Sequence, residues 1–460
     1  MNKPAAIGAV LLVTICAALR SQPAQPEAPL NISQAVDLAL RNYPSIRVTQ
    51  EQMNAAAAGI RLAQTAYLPR IDALAQVNRA TRNTFFGLLL PQSVIANVDG
   101  VPANDFGTVW DSGAGILVTW QPFDFGLRAA NVAAAAAARE HAQATVNSTR
   151  YDVSVATADA FLTLVAAEQT AQAAQAAVDS WQVLLRTIHA QVAAQLRPGA
   201  DESRVQAELA AAQTQLAQAD QAIDVARANL QQFTGSPASL NVVAGKLVDR
   251  LPPDRAEAPL QPSANPLARE QNAAVAQAQS QLSALTRTYY PQFSLQGVAS
   301  ARGTGLVSNG ARLGWLNGLA PTTQNYGLGL TITFPVMDKF SIQEQEAIQS
   351  ANVRAGQAQY QVVTTNLQAR FNAALATFTG ARRVAESTPV EVSSARVALQ
   401  QATARYQSGL APIDDVAQAQ RLLVRAQIDD ALARLNVWRA RLQVETARGD
   451  IQPFVAEATQ

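Results

Sequence analysis

The sequence predicts a mainly α-helical fold with a small transmembrane β-barrel contribution, built from two copies of one unit. Three observations predict this fold. A long-period repeat relates the two halves of the 460-residue chain, four short segments alternate apolar and polar residues, and several very long segments contain neither proline nor glycine. The expected architecture is therefore a set of long coiled-coil helices plus four β-strands in each chain.

Prolines mark the internal duplication. Pro44 and Pro69 lie 25 residues apart, and Pro266 and Pro291 repeat that spacing with a shift of 222. In each half a tyrosine stands two residues before the second proline. A repeat of this length indicates two copies of one supersecondary unit placed side by side. The predicted divisions are a signal peptide (1–21), a first repeat (30–235), a linker or equatorial segment (236–264), a second repeat (265–449) and a C-terminal tail (450–460).

The N-terminus predicts an export signal. Lys3 supplies a positive charge, an apolar stretch follows it, and small residues then offer cleavage points. A single membrane anchor is the less favoured alternative, because about 20 apolar residues are needed to span a bilayer and this stretch is shorter. Cys16 is the only cysteine, so a disulfide framework is not expected. Lipidation of Cys16 stays open, although Ile15 before it is not the small residue that lipidation favours.

Four segments alternate with period two, as strands of a transmembrane barrel do. One face of each segment is apolar and the other is small or polar. Two hairpins on a soluble core would explain the alternation equally well if it stood alone. The four predicted strands are residues 71–78, 116–121, 293–296 and 327–334.

Aromatic residues stand at the strand ends nearest the helices. Tyr67, Trp120, Tyr289 and Phe334 occupy these four positions. Aromatic girdles mark the membrane interfaces of transmembrane barrels, so we expect these side chains to form one.

Long polar segments join the strands in pairs. Residues 79–111 and 301–324 contain several glycines and suit the extracellular loops of an outer-membrane barrel. The first segment contains an apolar run at 85–90, which is interpreted as a plug, a lid or a packed loop.

The longest segments predict helices of unusual length. Residues 127–197 contain no proline or glycine, which predicts a helical rod of roughly 100 Å. Residues 200–234 and 413–448 are also free of both and match each other in length. The segment 341–407 contains Pro389, where we expect a bend or a break.

The return helix of the first half has a seven-residue rhythm, which predicts a left-handed coiled coil. Alanine fills much of the seam, so it brings helix axes close together but buries little area, and we expect helical neighbours on both sides. An elongated coiled-coil spacer is the alternative. The two seam positions are Leu209, Leu216, Ile223 and Leu230, and Val205, Ala212, Ala219, Ala226 and Phe233.

The lengths of these elements decide how the halves fit together. A rod of about 100 Å cannot lie within a bilayer core of about 30 Å, whereas the strands fit. Four strands do not close a barrel, and open edges are not viable in lipid. Several chains must therefore complete one barrel, which a long α-helical coiled-coil tunnel continues into the periplasm. Such a tunnel indicates transport across the periplasm.

These residues resemble a known family, the TolC-like outer membrane factors. The resemblance runs from about Leu30 to Gly449. Its markers are weak one by one but specific in this order within a duplication. They are Leu30 to Val36 with Asn42 and Pro44, Tyr67 to Pro69, Pro122 to Arg128, Leu230 to Gly235, and Arg405 to Gly409 followed by Asp415, Val416 and Ala419.

The resemblance implies a homotrimer with a 12-stranded barrel in the outer membrane of a Gram-negative bacterium, extending into the periplasm. It implies a passive exit duct for small molecules or polypeptides, in a tripartite efflux pump or a type I secretion system. The implied partners are a periplasmic adaptor (a membrane fusion protein), an inner-membrane RND or ABC transporter and outer membrane lipid. Neither an enzymatic activity nor a cofactor is implied.

The resemblance also places a closed periplasmic tip at Gly199 and Gly409. Each glycine lies between two long helices, where a tight reversal needs its dihedral freedom. Tyr406 and Asp415 take the places of the family's gate tyrosine and of one gate aspartate. Gln418 stands where a second gate aspartate is often found.

The first repeat departs from the family pattern at the tip. Its matching acidic position is Arg204, and one residue is expected to be missing from the turn at 197–200. Asp201, Glu202 and Arg204 are the candidates for holding the gate in this repeat. Asp415 carboxylates in a ring would repel one another, so they need donors such as Arg204 or bound cations.

Other functional classes find little support. His141 and His189 lie 48 residues apart and cannot share one metal-binding helix face, and neither a nucleophile elbow nor a phosphate loop is present. A charged fraction of 15% with a net charge of +1 and no basic stripe argues against nucleic acid. An elongated periplasmic coiled-coil tether without a channel remains the alternative, but it leaves the strands and the duplication unexplained.

Overall fold

The computed structural model describes residues 29–81, 107–235, 242–254, 258–306, 311–314 and 316–459. The predicted export signal and the apolar run at 85–90 lie outside these residues. The strands are β1 (Arg70–Thr81), β2 (Thr108–Phe123), β3 (Gln292–Thr304) and β4 (Thr323–Thr333). The helices are α1 (Ile32–Asn42), α2 (Pro44–Thr65), α3 (Leu127–Ala193), α4 (Gly199–Thr234), α5 (Lys246–Asp249), α6 (Pro266–Thr286), α7 (Lys339–Gln407), α8 (Ile413–Arg448) and α9 (Gln452–Thr459).

The order of elements is the same in both halves. A helix, two strands, a long helix and a return helix follow one another as α2-β1-β2-α3-α4 and again as α6-β3-β4-α7-α8. Pro44 and Pro266 are the first residues of α2 and α6. Proline is favoured at this position because its fixed φ suits a helix and its missing N–H would have no partner there. The mainly helical, duplicated fold predicted from the sequence is confirmed.

The long helices pair as two antiparallel hairpins. In the first hairpin α3, of 67 residues, packs against α4, and in the second α7, of 69 residues, packs against α8. At 1.5 Å per residue the longer helices reach about 100 Å. The return helices α4 and α8 have 36 residues each, and each ends at a left-handed glycine, Gly235 or Gly449. Among the described residues, no helix is both long and apolar enough to cross a membrane.

Of the bend or break expected at Pro389, the break is wrong, because α7 is a continuous helix through this residue, and the bend stays a prediction. Proline removes one backbone hydrogen bond and usually breaks a helix. Here α8 packs along α7 on both sides of the proline, with Ala385 in one apolar cluster and Ala395 in another. Tertiary packing of a helix face outweighs the local preference.

The expected role of Gly199 in the reversal is also wrong. Gly199 is the first residue of α4, and Gln195 takes the left-handed conformation in this turn, with a φ of 57°. In the other hairpin Gly409 takes it, with a φ of 74°. The N–H of Leu196 bonds to the Gln191 carbonyl at 2.9 Å, which closes the helix end and offsets the strain at Gln195.

The two hairpin turns have the same length. Each contains five residues, 194–198 and 408–412, between its two helices. The expectation of a missing residue in the first turn is therefore wrong. It arose from aligning Gly199 with Gly409, whereas the helix ends align Gln195 with Gly409 and Gly199 with Ile413, a shift of 214.

In the described part of the chain, the four strands form one antiparallel sheet in the order β1-β2-β3-β4. The register places Ile71, Val118, Gly297 and Leu328 in one row across the sheet. Every second row along the strands, counted from this one, lies on the same face of the sheet, and together these rows form a continuous apolar face. On this face Leu328 is 80% exposed. The opposite face carries rows such as Gln76–Gly113–Arg302–Thr323. The alternation predicted from the sequence is thus confirmed across all four strands.

The strands extend further than the sequence predicted. β2 begins at Thr108 and β3 continues to Thr304, within the segments expected to be loops. The outer end of β3 is polar and that of β2 has Val109 and Trp110 side by side, so neither end shows the apolar alternation that identifies a strand, yet the backbone ladder continues through both.

The predicted heptad seam lies in the packed interface of α4. Its alanine position is the more deeply buried one, and the leucine position is partly buried at Leu209, Leu216 and Ile223. The main core lies where α1, α3, α8 and α9 meet, around Phe161, Trp438 and Phe454. The C-terminal tail thus contributes a packed helix. The buried residues of the alanine position are Val205, Ala212, Ala219 and Ala226.

Candidate functional site

A candidate site lies at the end of the two hairpins furthest from the sheet. Tyr406, in the last turn of α7, is only 3% exposed. Its hydroxyl donates a hydrogen bond to Oδ2 of Asp201, in the first turn of α4, at 2.9 Å. A side chain of the second repeat is thereby bonded to the first repeat.

Arg197 holds the same tyrosine from the turn between α3 and α4. Its guanidinium carbon lies 4.4 Å from the centroid of the Tyr406 ring, in cation–π geometry. The same guanidinium donates to the main-chain carbonyl of Tyr406. Arg197 and Asp201, both from the first repeat, therefore contact the ring, the carbonyl and the hydroxyl of Tyr406.

The surroundings of Tyr406 keep its hydroxyl protonated. Burial raises the pKa of Tyr406 to about 12, and the hydrogen bond to Asp201 and its negative charge act in the same direction, whereas Arg197 acts to lower it. At neutral pH the phenol is therefore a stable donor to the carboxylate.

Apolar packing supports the site from both hairpins. Tyr406 belongs to a buried cluster, and residues of α3, α4 and α8 surround it. This cluster explains why the tyrosine has a fixed position between the hairpins. Its other buried members are Val178, Trp181, Ile188, Val205, Ala212, Ile413, Val416 and Ala417.

Arg204 forms a second link between the repeats, away from Tyr406. Its Nε lies 3.2 Å from Oδ1 of Asp414 and 3.7 Å from Oε1 of Glu208. Arg421 of α8 also reaches Glu208, at 3.0 Å. These arginines are half exposed, so each ion pair is worth only about 0–1 kcal/mol. The structure pairs Arg204 with Asp414 rather than with Asp415.

Asp415 lies near this site but does not bond to Tyr406. Its side chain is half-buried and forms neither a hydrogen bond nor an ion pair within the described part of the chain. The shift of 214 makes Asp415 the counterpart of Asp201. Sequence reasoning missed this equivalence, and an alignment on the prolines before the two return helices, Pro198 and Pro412, would have found it. Glu202 Oε1 accepts a hydrogen bond from the Nδ1–H of His189 at 2.7 Å.

The four predicted interface aromatics all lie at the helix-proximal end of the sheet. Trp120 donates its indole N–H to the Tyr67 carbonyl at 3.1 Å. The rings of Tyr289 and Phe334 lie 5.7 Å apart. Sequence reasoning missed a second aromatic group at the same level, because its residues fall partly outside the alternating segments. That group consists of Phe123, Phe125, Phe293 and Tyr290.

A buried ion pair fixes the junction between sheet and helix. Asp124 Oδ2 accepts hydrogen bonds from the main-chain N–H of Arg128 at 2.8 Å and from its Nε at 2.7 Å. Arg128 also donates to the carbonyl of Ala66 and lies over the ring of Tyr67. Burial acts to raise the pKa of Asp124, but hydrogen bonds from Arg128 and Gly126 outweigh it and lower that pKa.

Among the described residues, no group of three or more histidines, cysteines or carboxylates is arranged to hold a metal ion. The two histidines have unrelated partners. His141 Nδ1 lies 2.7 Å from Gln277 Oε1, and His189 pairs with Glu202.

The family model described as outer membrane efflux protein matches residues 35–236 and 263–450, which is most of the chain. No curated protein sequence matches it.

Solved structures share the fold. The chain is similar to CusC, with a TM-score of 0.75 and 16% identity over 91% of this chain and 92% of that one. CmeC of Campylobacter jejuni has a TM-score of 0.70 and 15% identity over 100% and 97%. The MtrE channel of Neisseria gonorrhoeae, in its open state, has a TM-score of 0.72 and 17% identity over 91% and 88%.

Proposed function

This chain belongs to the outer membrane efflux protein family, and we propose that three copies of it form the exit duct of a tripartite efflux pump or a type I secretion system. It is an outer membrane efflux channel that extends into the periplasm. The observation that carries the proposed assembly is the four-stranded sheet. It has one continuous apolar face and two open edges, β1 and β4, and it is joined to helices of about 100 Å.

A trimer supplies the strand partners that the sheet of a single chain lacks. Unpaired strand edges are not viable in lipid, so β4 of each chain must pair with β1 of the next to close a barrel. Three sheets of four strands give 12, an even number that outer-membrane barrels favour. A tether without a channel would have no use for the exposed apolar face of the sheet.

The proposed partners follow from this position. The barrel contacts outer membrane lipid through its apolar face. A periplasmic adaptor engages the helical end, and an inner-membrane RND or ABC transporter supplies the cargo and the energy. The duct itself is proposed to be passive, with no enzymatic activity.

We propose that Tyr406, Asp201 and Arg197 hold the periplasmic end closed. Their contacts join the two hairpins of one chain, so separating the hairpins must break them. Gly409 gives the second hairpin its tight reversal just beyond Tyr406. Asp415 is proposed to face the lumen, where three copies would bind cations, and Arg204 adds an exposed link through Asp414.

Electrical recording tests the proposed duct. Purified protein reconstituted in planar bilayers should form discrete conducting channels that open rarely, and a strain lacking the protein should retain a toxic compound or a secreted substrate. Protein that inserts into outer-membrane lipid yet never conducts, even after Tyr406 is changed to phenylalanine, would contradict the duct.

A further inference from the structure

The two hairpins can be compared residue by residue. A shift of 214 carries the end of α3, Ala193, onto the end of α7, Gln407, and it carries both bounds of α4 onto those of α8. Each residue of the second hairpin therefore has a counterpart in the first, and the counterpart serves as an internal control.

The seam of the return helices differs at one point. In α4 the leucine position of the heptad is apolar throughout. In α8 the corresponding series is interrupted by a carboxylate, Asp430, where α4 has Leu216. The α4 series is Leu209, Leu216, Ile223 and Leu230, and the α8 series is Leu423, Asp430, Val437 and Val444.

The facing helix differs at the same level. Thr388 of α7 is buried, with 7% of its surface exposed, and its hydroxyl donates to Oδ1 of Asp430 at 2.6 Å. Its counterpart in α3 is the buried Ala174. The second hairpin thus has a polar pair where the first has alanine against leucine.

The backbone of α7 is weakened at this level too. Pro389 follows Thr388 and has no N–H to donate to the carbonyl of Ala385. The Thr388 hydroxyl lies 3.5 Å from that carbonyl, but its single proton is used in the much shorter bond to Asp430. The counterpart of Pro389 in α3 is Gln175, which retains its N–H.

The apolar packing is divided at the same place. Towards the sheet, α7 and α8 share one cluster that ends at Ala385 and Ala433. Towards the helix tip, a separate cluster joins Ala395 to Leu423 and Ala426. In the first hairpin the buried residues also fall into two clusters at this level, one with Ala171, Ala174 and Ala219 and the other with Val178 and Ala212, but the partly buried Leu216 packs against both.

We propose that Thr388, Pro389 and Asp430 form a hinge in the second hairpin, about which the end that carries Tyr406 moves when the duct opens. The first hairpin, with an unbroken seam, stays rigid and provides Asp201 and Arg197 as fixed partners. Tyr406 lies 18 residues beyond Thr388, so a small bend at the hinge moves it through a lever of about 27 Å. The hinge rests on the proposed gate and assigns its moving part.

Variants that copy the first hairpin into the second would stiffen the hinge. Pro389→Gln restores a backbone donor at an exposed position, as in Gln175. Thr388→Ala with Asp430→Leu restores the apolar pair. Neither change touches Tyr406 or its partners.

Spin-label distances between protomers of the intact trimer test the hinge. Labels are placed at exposed sites beyond the hinge (Ser408→Cys), before it (Thr379→Cys) and at the tip of the first hairpin (Ala194→Cys). The gate is released by Tyr406→Phe with Asp201→Ala. We expect distances at Ser408 to lengthen and broaden, while those at Thr379 and Ala194 keep their wild-type distributions.

The stiffening variants should then remove most of the change at Ser408, with Pro389→Gln alone sufficient if the double variant does not assemble. An equal shift at Thr379 would mean that α7 tilts as a rigid rod, and an unchanged response in Pro389→Gln would mean that the proline plays no part. Either result overturns the hinge. Channel conductance of the gate variant reports separately on the duct.

Discussion

At the residue scale, one buried phenol joins the two repeats. The Tyr406 hydroxyl, Asp201 and Arg197 meet between α7 and α4 in a mostly apolar setting. A hydrogen bond to a charged group is worth about 1.5–3 kcal/mol, and burial makes loss of the partner costly. In the proposed trimer, three copies of these contacts would together hold the proposed gate closed.

The first prediction concerns this hold. Tyr406→Phe with Asp201→Ala should shift the closed–open equilibrium by about 1.5–3 kcal/mol in each chain towards open. Single-channel recordings in planar bilayers should then show higher conductance and longer openings. Tyr360→Phe is the matched control, because Tyr360 also lies on α7 but its hydroxyl forms no hydrogen bond within the described residues. Equal behaviour of the two variants would refute the gate.

The second prediction concerns pH. Burial raises the pKa of Tyr406 to about 12, above the ordinary value of 10.0 for a tyrosine. A raised pKa means that the folded, closed form favours the protonated phenol, so its contribution is fully present below pH 10 and is lost as pH rises towards 12. Channel opening should increase across this range in the wild type. Tyr406→Phe has no proton to lose, and an identical alkaline step in that variant would assign the step to another group.

The third prediction concerns the junction of sheet and helix. The side chains of Arg128 and Asp124 are each 9% exposed, and breaking a buried pair by removing one partner costs about 3–5 kcal/mol. Arg128→Met should therefore lower the urea midpoint for trimer dissociation clearly. Arg139→Met, on the same helix in an exposed pair with Glu140, should change the free energy by no more than about 1 kcal/mol. A similar loss in both variants would argue against the junction's role.

At the element scale, the sequence identifies what depends on long uniform patterns. The bounds of α8 follow from Pro412 before it and Gly449 after it, and the prediction of 413–448 is confirmed. The apolar faces of the strands follow from alternation. These features depend on local residue types, so the sequence alone is sufficient to predict them.

Features that depend on tertiary context escape sequence reasoning. Pro389 lies in an unbroken helix because α8 packs along α7 on both sides of this residue, and Gln195 takes a left-handed φ because the helix-end hydrogen bonds hold it. The pairing of Tyr406 with Asp201 joins residues 205 apart. The sequence alone leaves this partner open, because Asp201, Glu202 and Arg204 are all candidates for holding the gate.

The fourth prediction tests the two faces of the sheet. Leu330 pairs with Leu295 on the apolar face, and Thr331 pairs with Ser294 on the other. Arginine on the lipid face of a barrel costs about 2–4 kcal/mol at the midplane, whereas lumen positions tolerate charge. Leu330→Arg should therefore reduce the trimer recovered from outer-membrane fractions, and Thr331→Arg should leave its yield unchanged. If Thr331→Arg reduced the yield and Leu330→Arg did not, the assignment of the lipid face and the lumen face would be reversed.

At the scale of the whole molecule, the two repeats share a fold, but in the proposed hinge they differ in how they move. The two hairpins share their lengths and turns, yet the polar pair Thr388–Asp430 and Pro389 occur in the second alone. A protein of two equivalent hairpins would have no preferred moving part. In the proposed hinge, this difference lets the first hairpin serve as a fixed frame while the second hairpin moves.

The fifth prediction concerns assembly. The sheet of one chain has two open edges and an exposed apolar face, so a single chain in lipid would leave its edge N–H and C=O groups without partners. Protein extracted from outer membranes in mild detergent should have the mass of three chains by native mass spectrometry. Cysteines placed on β1 and β4 should crosslink between chains and not within one, because β2 and β3 separate these strands. A monodisperse monomer with intact secondary structure would exclude barrel closure by trimerisation. It would leave the helical hairpins without the axis that a duct requires.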